Sequence, residues 1–269
     1  MKVVLFCGGL GTRLREYSET VPKPLVPVGY QPILVHLMRY YTYYGHNEFI
    51  LCLGHRADLI REFFLSYDNA KFADVSIRSD GRHVDFHDEL DDVKWTVSLV
   101  DTGISSNIGQ RLRAVAPMLA DDEMFLANYS DGLCDLVLPG FVDEFSATDA
   151  VAGFLSVRPA HSFHVVISGE DGGVEDLKSA DQAGVWINGG FFVLRNEIFD
   201  YMRDGEDLVE EPFRRLVAEH RLFTRRHDGF WKSMDTYKDK VEFDTMLARA
   251  DTPWMVWNNG RSKLPIPGR

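Results

Sequence analysis

From residue 2 to residue 7 the chain, once past Lys2, runs apolar without alternation, then stops at Gly8-Gly9-Leu10-Gly11. A strand that is wet on one face alternates apolar and polar side chains. An unbroken run belongs instead to a strand covered on both faces, as in a parallel sheet flanked by helices. The glycines mark the loop into which that strand runs. Residues 32–44 follow with apolar side chains at helical spacing (Ile33, Leu34, Leu37, Met38, Tyr41) and a stop at Gly45. Residues 48–53 (EFILCL) read as a second buried strand ending at Gly54, and residues 57–65 as a second helix. Strand, helix, strand, helix with short glycine-marked links predicts an α/β fold: a parallel sheet wound right-handed.

The pattern then changes. Residues 73–77, 82–87 and 96–100 read as strands, and residues 108–119 as a helix. Residues 123–129 form a strand pattern ending at Ser130-Asp131-Gly132, and residues 150–157 another. Residues 164–168 join 174–177 across Glu170-Asp171-Gly172-Gly173, which predicts a hairpin. Residues 186–194 (WINGGFFVL) make a strand interrupted by two glycines, where the backbone can bend or approach a ligand closely. Helical patterns follow at 196–202, 210–219 and 236–249. There is no internal repeat and no linker, so residues 1–269 read as one domain.

Charge narrows the partners. The chain carries 41 acidic and 29 basic side chains, a net charge of −12. That balance argues against broad adhesion to nucleic acid or anionic lipid, so neither nucleic acid nor membrane is expected as a partner. An anionic substrate must then be caught locally, by a few basic groups or a metal. Cys7, Cys52 and Cys134 stand far apart with no C-x-x-C pair, which suits small core hydrophobes in a reducing compartment. The first apolar run is too short for a secretory signal, and no stretch approaches the ~20 apolar residues of a membrane span. A cytoplasmic protein is expected.

Three features could carry chemistry. In the first loop, Gly8 to Leu14 (GGLGTRL), glycines let backbone N–H groups approach phosphate oxygens without interference from a Cβ. The loop is not a P-loop, and Leu14 stands where a dinucleotide fingerprint needs its third glycine or alanine, which excludes a nicotinamide-dependent oxidoreductase. Arg13 within it and Lys23 between Pro22 and Pro24 make a plausible polyphosphate clamp. Second, Asp131 lies at the carboxyl end of a buried strand, where ligands gather in open parallel sheets; it suits a Mg²⁺ ion holding triphosphate oxygens, or a simple turn aspartate. Third, Asp235 in GFWKSMDT precedes a helical run and reads equally as that helix's N-cap. His83, Asp85 and His87 share a strand face but read as a solvated surface.

Together these residues resemble the sugar-1-phosphate nucleotidyltransferases, most of all their cytidylyl branch. The likeness runs through KPLVPVGYQPIL, LVDTG with the GQRL segment, INGGFFVL, VEEPF, GFWKSMDT and PWMVW. It implies a Rossmann-like mixed, mainly parallel sheet flanked by helices, with a small β-rich sugar-binding and oligomerisation part, and a homo-oligomer. It implies a nucleotide-binding half (residues 1–135) and a sugar-binding half (136–269). Gly8, Gly9, Gly11, Thr12 and Arg13 would hold the nucleotide, and Gly109 and Gln110 would lie on the base-contacting loop. Lys23 would bridge towards the α-phosphate and sugar phosphate, and Asp131 and Asp235 would bind Mg²⁺. Asn188, Gly189 and Glu211 would line the sugar site. The reaction implied joins CTP and a sugar 1-phosphate, glucose 1-phosphate above all, and releases pyrophosphate. UTP or dTTP as the nucleotide, or a catalytically weak nucleotide-binding paralogue, stand as alternatives. Two departures stand out: Ser130 replaces the first glycine of the family's Gly-Asp-Gly, and the family's Glu-Lys-Pro triplet is missing after Val174. Lys178 stands two positions before the slot at Ala180; if the strand continues that far the two share a face, so Lys178 reads either as a substitute for the missing lysine or as a solvated hairpin lysine.

Overall fold

The computed structural model describes residues 1–9, 11, 21–67, 75–77, 84–86, 94–159, 164–180 and 182–258. Its central sheet starts from β1 (Val3–Phe6), which pairs in parallel with β2 (Glu48–Leu53) on one side. On the far side of β2 lies β3 (Thr96–Asp101), and on the other flank of β1 lies β4 (Met124–Tyr129), both parallel. A short strand β5 (Gly132–Cys134) follows β4 directly. Beyond β4 a single strand runs against the rest. The interrupted strand formed by β9 (Ile187–Asn188) and β10 (Phe192–Arg195) runs antiparallel to both β4 and β6 (Ala152–Val157), and β11 (Leu222–His227) then pairs in parallel with β6. The result is an eight-stranded, mixed, mainly parallel sheet. Among the described residues four antiparallel pairs stand apart from it: the hairpin of β7 (His164–Ser168) with β8 (Val174–Ser179), β5 with β12 (Trp231–Ser233), Pro27–Val28 with Gln31–Pro32, and Val75–Ile77 with Val84–Phe86.

Both faces of the sheet are covered, as the unbroken run in β1 demands. Val3, Leu5 and Cys7 enter one core with Leu34 and Leu37 of α1 (Ile33–Tyr43) and Phe141 of α4 (Leu138–Ser146). Val4 and Phe6 enter the other with Leu112 and Val115 of α3 (Ile108–Val115) and Phe213 and Leu216 of α5 (Glu211–Ala218). Alternation along one strand thus feeds two cores. Leu5 and Leu51 are fully buried, so truncating either to alanine should cost about 2–5 kcal/mol. All three cysteines are buried and free.

The elements α1, β2 and α2 (Ala57–Leu65) fall where the sequence pattern puts them, and the hairpin turns at Gly172, φ +84°. The helix expected over 108–119 ends at Val115 instead. Pro117 has no N–H to donate, and Ala116–Leu119 tightens into a 3₁₀ turn. Asn196–Tyr201 is likewise 3₁₀. The proposed strand face of His83, Asp85 and His87 cannot be built from the structure, because His83 and His87 lie outside the described residues. Among the described residues, no helix is long and apolar enough to cross a membrane.

Candidate active site

Asp131 leaves the carboxyl end of β4, and Gly132 begins β5 at once. Strand β12 pairs antiparallel with β5, Ser233 opposite Gly132, and the Met234 N–H donates to the Asp131 carbonyl at 2.8 Å. That pairing brings Asp235 beside Asp131. Lys23 completes the corner: its Nζ donates to Asp131 Oδ2 at 2.5 Å and to Asp235 Oδ1 at 2.9 Å. The lysine opens a 3₁₀ turn (Lys23–Leu25) between Pro22 and the buried Pro24, closed by the Leu25 N–H on the Pro22 carbonyl at 2.8 Å. The flanking prolines narrow the backbone choices there. Burial disfavours the Lys23 ammonium, but the Asp131 and Asp235 carboxylates outweigh it and hold its pKa above the ordinary lysine value.

Asp235 is not the helix cap that its position suggested. The N-cap of α6 (Tyr237–Ala248) is Thr236, whose hydroxyl accepts from the Asp239 N–H. The Asp235 carboxylate accepts from Lys23 and, through Oδ2, from Ser233 Oγ at 2.7 Å. The cap role passes one residue along, and the carboxylate turns to the corner instead.

A cavity of about 430 Å³ opens beside this corner, lined by Asp131 and Asp235 together with Tyr129, Asn188, Gly189 and Trp231. Its wall is the break between β9 and β10. Gly190 (φ +76°) and Phe191 (φ +51°) both sit in the left-handed region, which is costly for a phenylalanine. Asn128, fully buried, holds the bend: its Oδ1 accepts from the Phe191 N–H at 3.2 Å while its Nδ2 donates to Tyr41 Oη at 3.0 Å. Asn188 Oδ1 accepts from the Gly190 N–H at 2.9 Å, so its amide oxygen is engaged by the wall itself. Gly189 gives its carbonyl to the Trp231 indole N–H at 2.9 Å, and a Cβ there would meet Val157 at 2.9 Å.

The glycine loop lies at the same sheet edge, at the end of β1. Thr12 and Arg13 are outside the described residues; Gly8, Gly9 and Gly11 are within them. Gly9 is open, whereas a Cβ on Gly8 would overlap the guanidinium of Arg111. Arg111, on α3, is 2 % exposed and donates to the Gly8 carbonyl at 3.0 Å, the Leu53 carbonyl at 3.0 Å, the Gly103 carbonyl at 2.9 Å and Thr102 Oγ1 at 2.8 Å. It ties together the carboxyl ends of β1, β2 and β3. Gly54 serves the same guanidinium, since a Cβ there would stand 2.7 Å from it. The two other residues expected in this neighbourhood have local tasks. Gln110 and Asn107 form the capping box of α3, and Gly109 lets that helix approach the backbone of Glu206 and Leu208.

Ser130, where the family carries glycine, turns its hydroxyl to the Phe6 carbonyl at 2.9 Å and is buried, so the departure stitches β4 to β1 without entering the cavity. Glu211 is the exposed first residue of α5, and Lys178 lies exposed on β8, ion-paired with Asp176; neither lines the cavity. Sequence reasoning passed over Arg111, Asn128, Trp231, Lys232 and Asp239. Only Asp239 left a readable signal, the spacing Thr236-x-x-Asp239 of a capping box.

A Gly-rich loop, two carboxylates and a lysine at the carboxyl edge of a doubly covered sheet define a phosphate-handling α/β enzyme. The sequence model of the nucleotidyl transferase family matches residues 2–242, and the chain belongs to that family. It is 36% identical to the glucose-1-phosphate cytidylyltransferase of Salmonella typhimurium over 260 residues, which make up 96% of this chain and 100% of that one. Among solved structures, UDP-glucose pyrophosphorylase complexed with UDP-glucose matches with TM-score 0.67 at 14% identity, covering 93% of this chain and 98% of that one. HddC from Yersinia pseudotuberculosis complexed with GMP-PN matches with TM-score 0.61 at 19% identity, covering 91% and 99%. At those identities the structures bear on the fold, and the family assignment rests on the sequence.

Proposed function

We propose that this nucleotidyltransferase transfers a cytidylyl group from CTP to glucose 1-phosphate. An oxygen of the sugar phosphate forms a bond to the α-phosphorus, the bond from that phosphorus to the bridging oxygen breaks, and pyrophosphate leaves. The observation that carries the reading is the convergence of Lys23, Asp131 and Asp235 on one point beside the cavity. CTP and glucose 1-phosphate follow from the full-length likeness to the Salmonella enzyme.

The corner also fits the divalent ion that such chemistry uses. Asp131 and Asp235 already direct one oxygen each at a single cationic group, the Lys23 ammonium. Mg²⁺ is commonly held by one or two carboxylates, with substrate phosphates and water completing its shell. These two aspartates would hold it; among the described residues no cluster of three or more acidic, His or Cys side chains offers another place. When bound, the ion supplies charge neutralisation on the triphosphate. Lys23 contributes a fixed positive charge towards the α-phosphate and sugar phosphate, and Gly8, Gly9, Gly11, Thr12 and Arg13 contact the nucleotide. Gly109 and Gln110 set the helix beside the base, and Asn188 and Gly189 shape the wall against the sugar. This reading places the nucleotide chiefly on residues 1–135 and the sugar on 136–269, with Asp235 reaching back across, in a cytoplasmic homo-oligomer. The work asked of the side chains is positioning and charge neutralisation of two anions.

The test is pyrophosphate release from purified protein with Mg²⁺, each of CTP, UTP, dTTP, ATP and GTP, and a panel of hexose 1-phosphates. CTP with glucose 1-phosphate should give the highest kcat/KM. A preference for UTP or dTTP would move the nucleotide assignment, and no release with any pair would mark a nucleotide-binding relative without turnover.

A further inference from the structure

Behind Asp235 lies a buried charge network that the reaction as described does not use. Asp239, on the first turn of α6, is 2 % exposed. Its Oδ2 accepts from the Thr236 N–H at 2.8 Å, from Thr236 Oγ1 at 2.8 Å and from the Asp235 N–H at 3.2 Å. Its Oδ1 accepts from Lys232 Nζ at 3.1 Å, and Lys232 donates again to Glu242 Oε2 at 2.6 Å. Burial alone would raise the Asp239 pKa, but Thr236 and Lys232 hold it below the usual carboxylate value.

We propose that Asp239 is a positioning residue for the nucleotidyl transfer: it fixes the Asp235 carboxylate at the metal-binding corner by pinning the backbone from which that carboxylate emerges. The proposal rests on the assignment of Asp131 and Asp235 as the metal pair. Three features separate it from an ordinary cap. A capping box needs the N-cap N–H only, whereas this carboxylate also bonds the residue before the cap, which is Asp235 itself. A cap at a helix end is usually exposed, whereas this carboxylate is 2 % exposed and paired with a lysine that is itself 8 % exposed, both on the lining of the cavity. A buried ion pair adds little net stability, so its return is better sought in fixed geometry.

The chain is clamped on both sides of the carboxylate. The residue before Asp235 is held by the Met234 N–H on the Asp131 carbonyl, and Asp235 with Thr236 by Asp239. With both ends fixed, the side chain leaves towards Asp131 and Ser233. Without Asp239 the corner keeps both carboxylates but loses their mutual placement. Partners behind a metal ligand matter on that ground, and altering one typically weakens metal binding or activity by ~10–100-fold.

The test measures Mn²⁺ binding by electron paramagnetic resonance in the presence of CTP, without sugar phosphate, in wild type, Asp239→Asn, Thr236→Val and Asp235→Asn, with thermal unfolding of each. Asp239→Asn should weaken Mn²⁺ binding by ~10–100-fold and lower kcat, with the KM for glucose 1-phosphate nearly unchanged, and excess Mn²⁺ should restore much of the rate. Thr236→Val, which removes one donor, should shift binding the same way by less and keeps the question answerable if the first variant does not fold. Variants that unfold earlier yet bind Mn²⁺ and turn over like wild type would make Asp239 a cap only, and would overturn the proposal. Loss of Mn²⁺ in Asp235→Asn alongside normal binding in Asp239→Asn would sink this inference while sparing the metal pair. Normal binding in Asp235→Asn would remove the pair, and the inference with it.

Discussion

Two cations, Lys23 half-buried and Arg111 buried, lie along the carboxyl edge of the same mainly parallel sheet, and their surroundings push them in opposite directions. Lys23 faces two carboxylates, and its pKa rises. Arg111 is bonded, among the described residues, by carbonyls and a hydroxyl, and burial lowers its pKa. The first corner is closed by an ammonium paired with both carboxylates before any ligand arrives, and still carries a net negative charge, so a divalent ion there competes with the ammonium for the carboxylates. The second carries a positive charge met directly by peptide carbonyls and the Thr102 hydroxyl, with a smaller contribution from the Asp101 carboxylate; the carbonyls converge there because parallel strands aim their carboxyl ends one way. In a chain of net charge −12, such a cation behind the glycine loop is one way to make a local field that welcomes an anion. The glycines follow the same division. At Gly8 and Gly54 the missing Cβ makes room for a guanidinium, while Gly9 leaves the loop open.

The largest effect should come from breaking the closed corner. Asp131→Asn keeps the shape and removes one charge, so turnover should fall by about two orders of magnitude or more while thermal unfolding stays cooperative. Near-normal kcat at limiting Mg²⁺ would show that the carboxylate charge does nothing there.

The open corner is tested by packing. Gly8→Ala should destabilise the fold by about 1–3 kcal/mol in urea denaturation, because the new methyl meets a guanidinium that four acceptors hold in place. In an Arg111→Met background the flexible thioether can yield, and the cost should shrink by about 1 kcal/mol. An equal cost in both backgrounds would break the link between the glycine and the arginine.

The two corners also differ in how much of them could be read in advance. The strand-to-loop step at β1 and the elements α1, β2 and α2 were legible because burial on both faces leaves an unbroken apolar signal. Lys23, Asp131 and Asp235 were each visible, but not their meeting, which depends on the pairing of β5 with β12. Each of those strands is three residues long and carries no period to read. Arg111 was visible only as part of the GQRL segment, with no role attached, and its burial depends on glycines remote in sequence. Helix α4 was hidden by Pro139 and Gly140 in its first turn, and β11 (LFTRRH) by the basic residues of a strand paired on one side only.

Alkaline pH separates the cations further. Lys23→Met at neutral pH should cost about 1–2 kcal/mol, a modest figure because the corner is partly wet. A group whose folded pKa is raised contributes its stability fully below its unfolded value, near 10.5 for this lysine, and loses it as pH climbs through the folded value. The difference in stability between wild type and Lys23→Met should therefore stay flat from neutral pH to about 10 and shrink only above it. A difference that fades between pH ~7 and ~9 would mean that burial, not the carboxylates, dominates at Lys23.

The smallest effect is expected at Lys178, on the hairpin outside both corners. It was the candidate to replace the lysine of the missing Glu-Lys-Pro, on the ground that a two-residue shift keeps a strand side chain on its face. Lys178 does lie on β8, where it pairs with Val165, but the slot at Ala180 falls just past the strand's end at Ser179, so the two positions do not share one strand face. Its ammonium, however, is spent on Asp176 at an exposed site, and the cavity wall is built from β9, β12 and the end of β4. An exposed pair of this kind contributes between zero and about 1 kcal/mol. Lys178→Ala should accordingly change the KM for glucose 1-phosphate and for CTP by less than about threefold each, since ~1.4 kcal/mol would be needed for tenfold. A large rise in the KM for the sugar phosphate alone would bring the hairpin to that substrate and extend the site beyond the two corners.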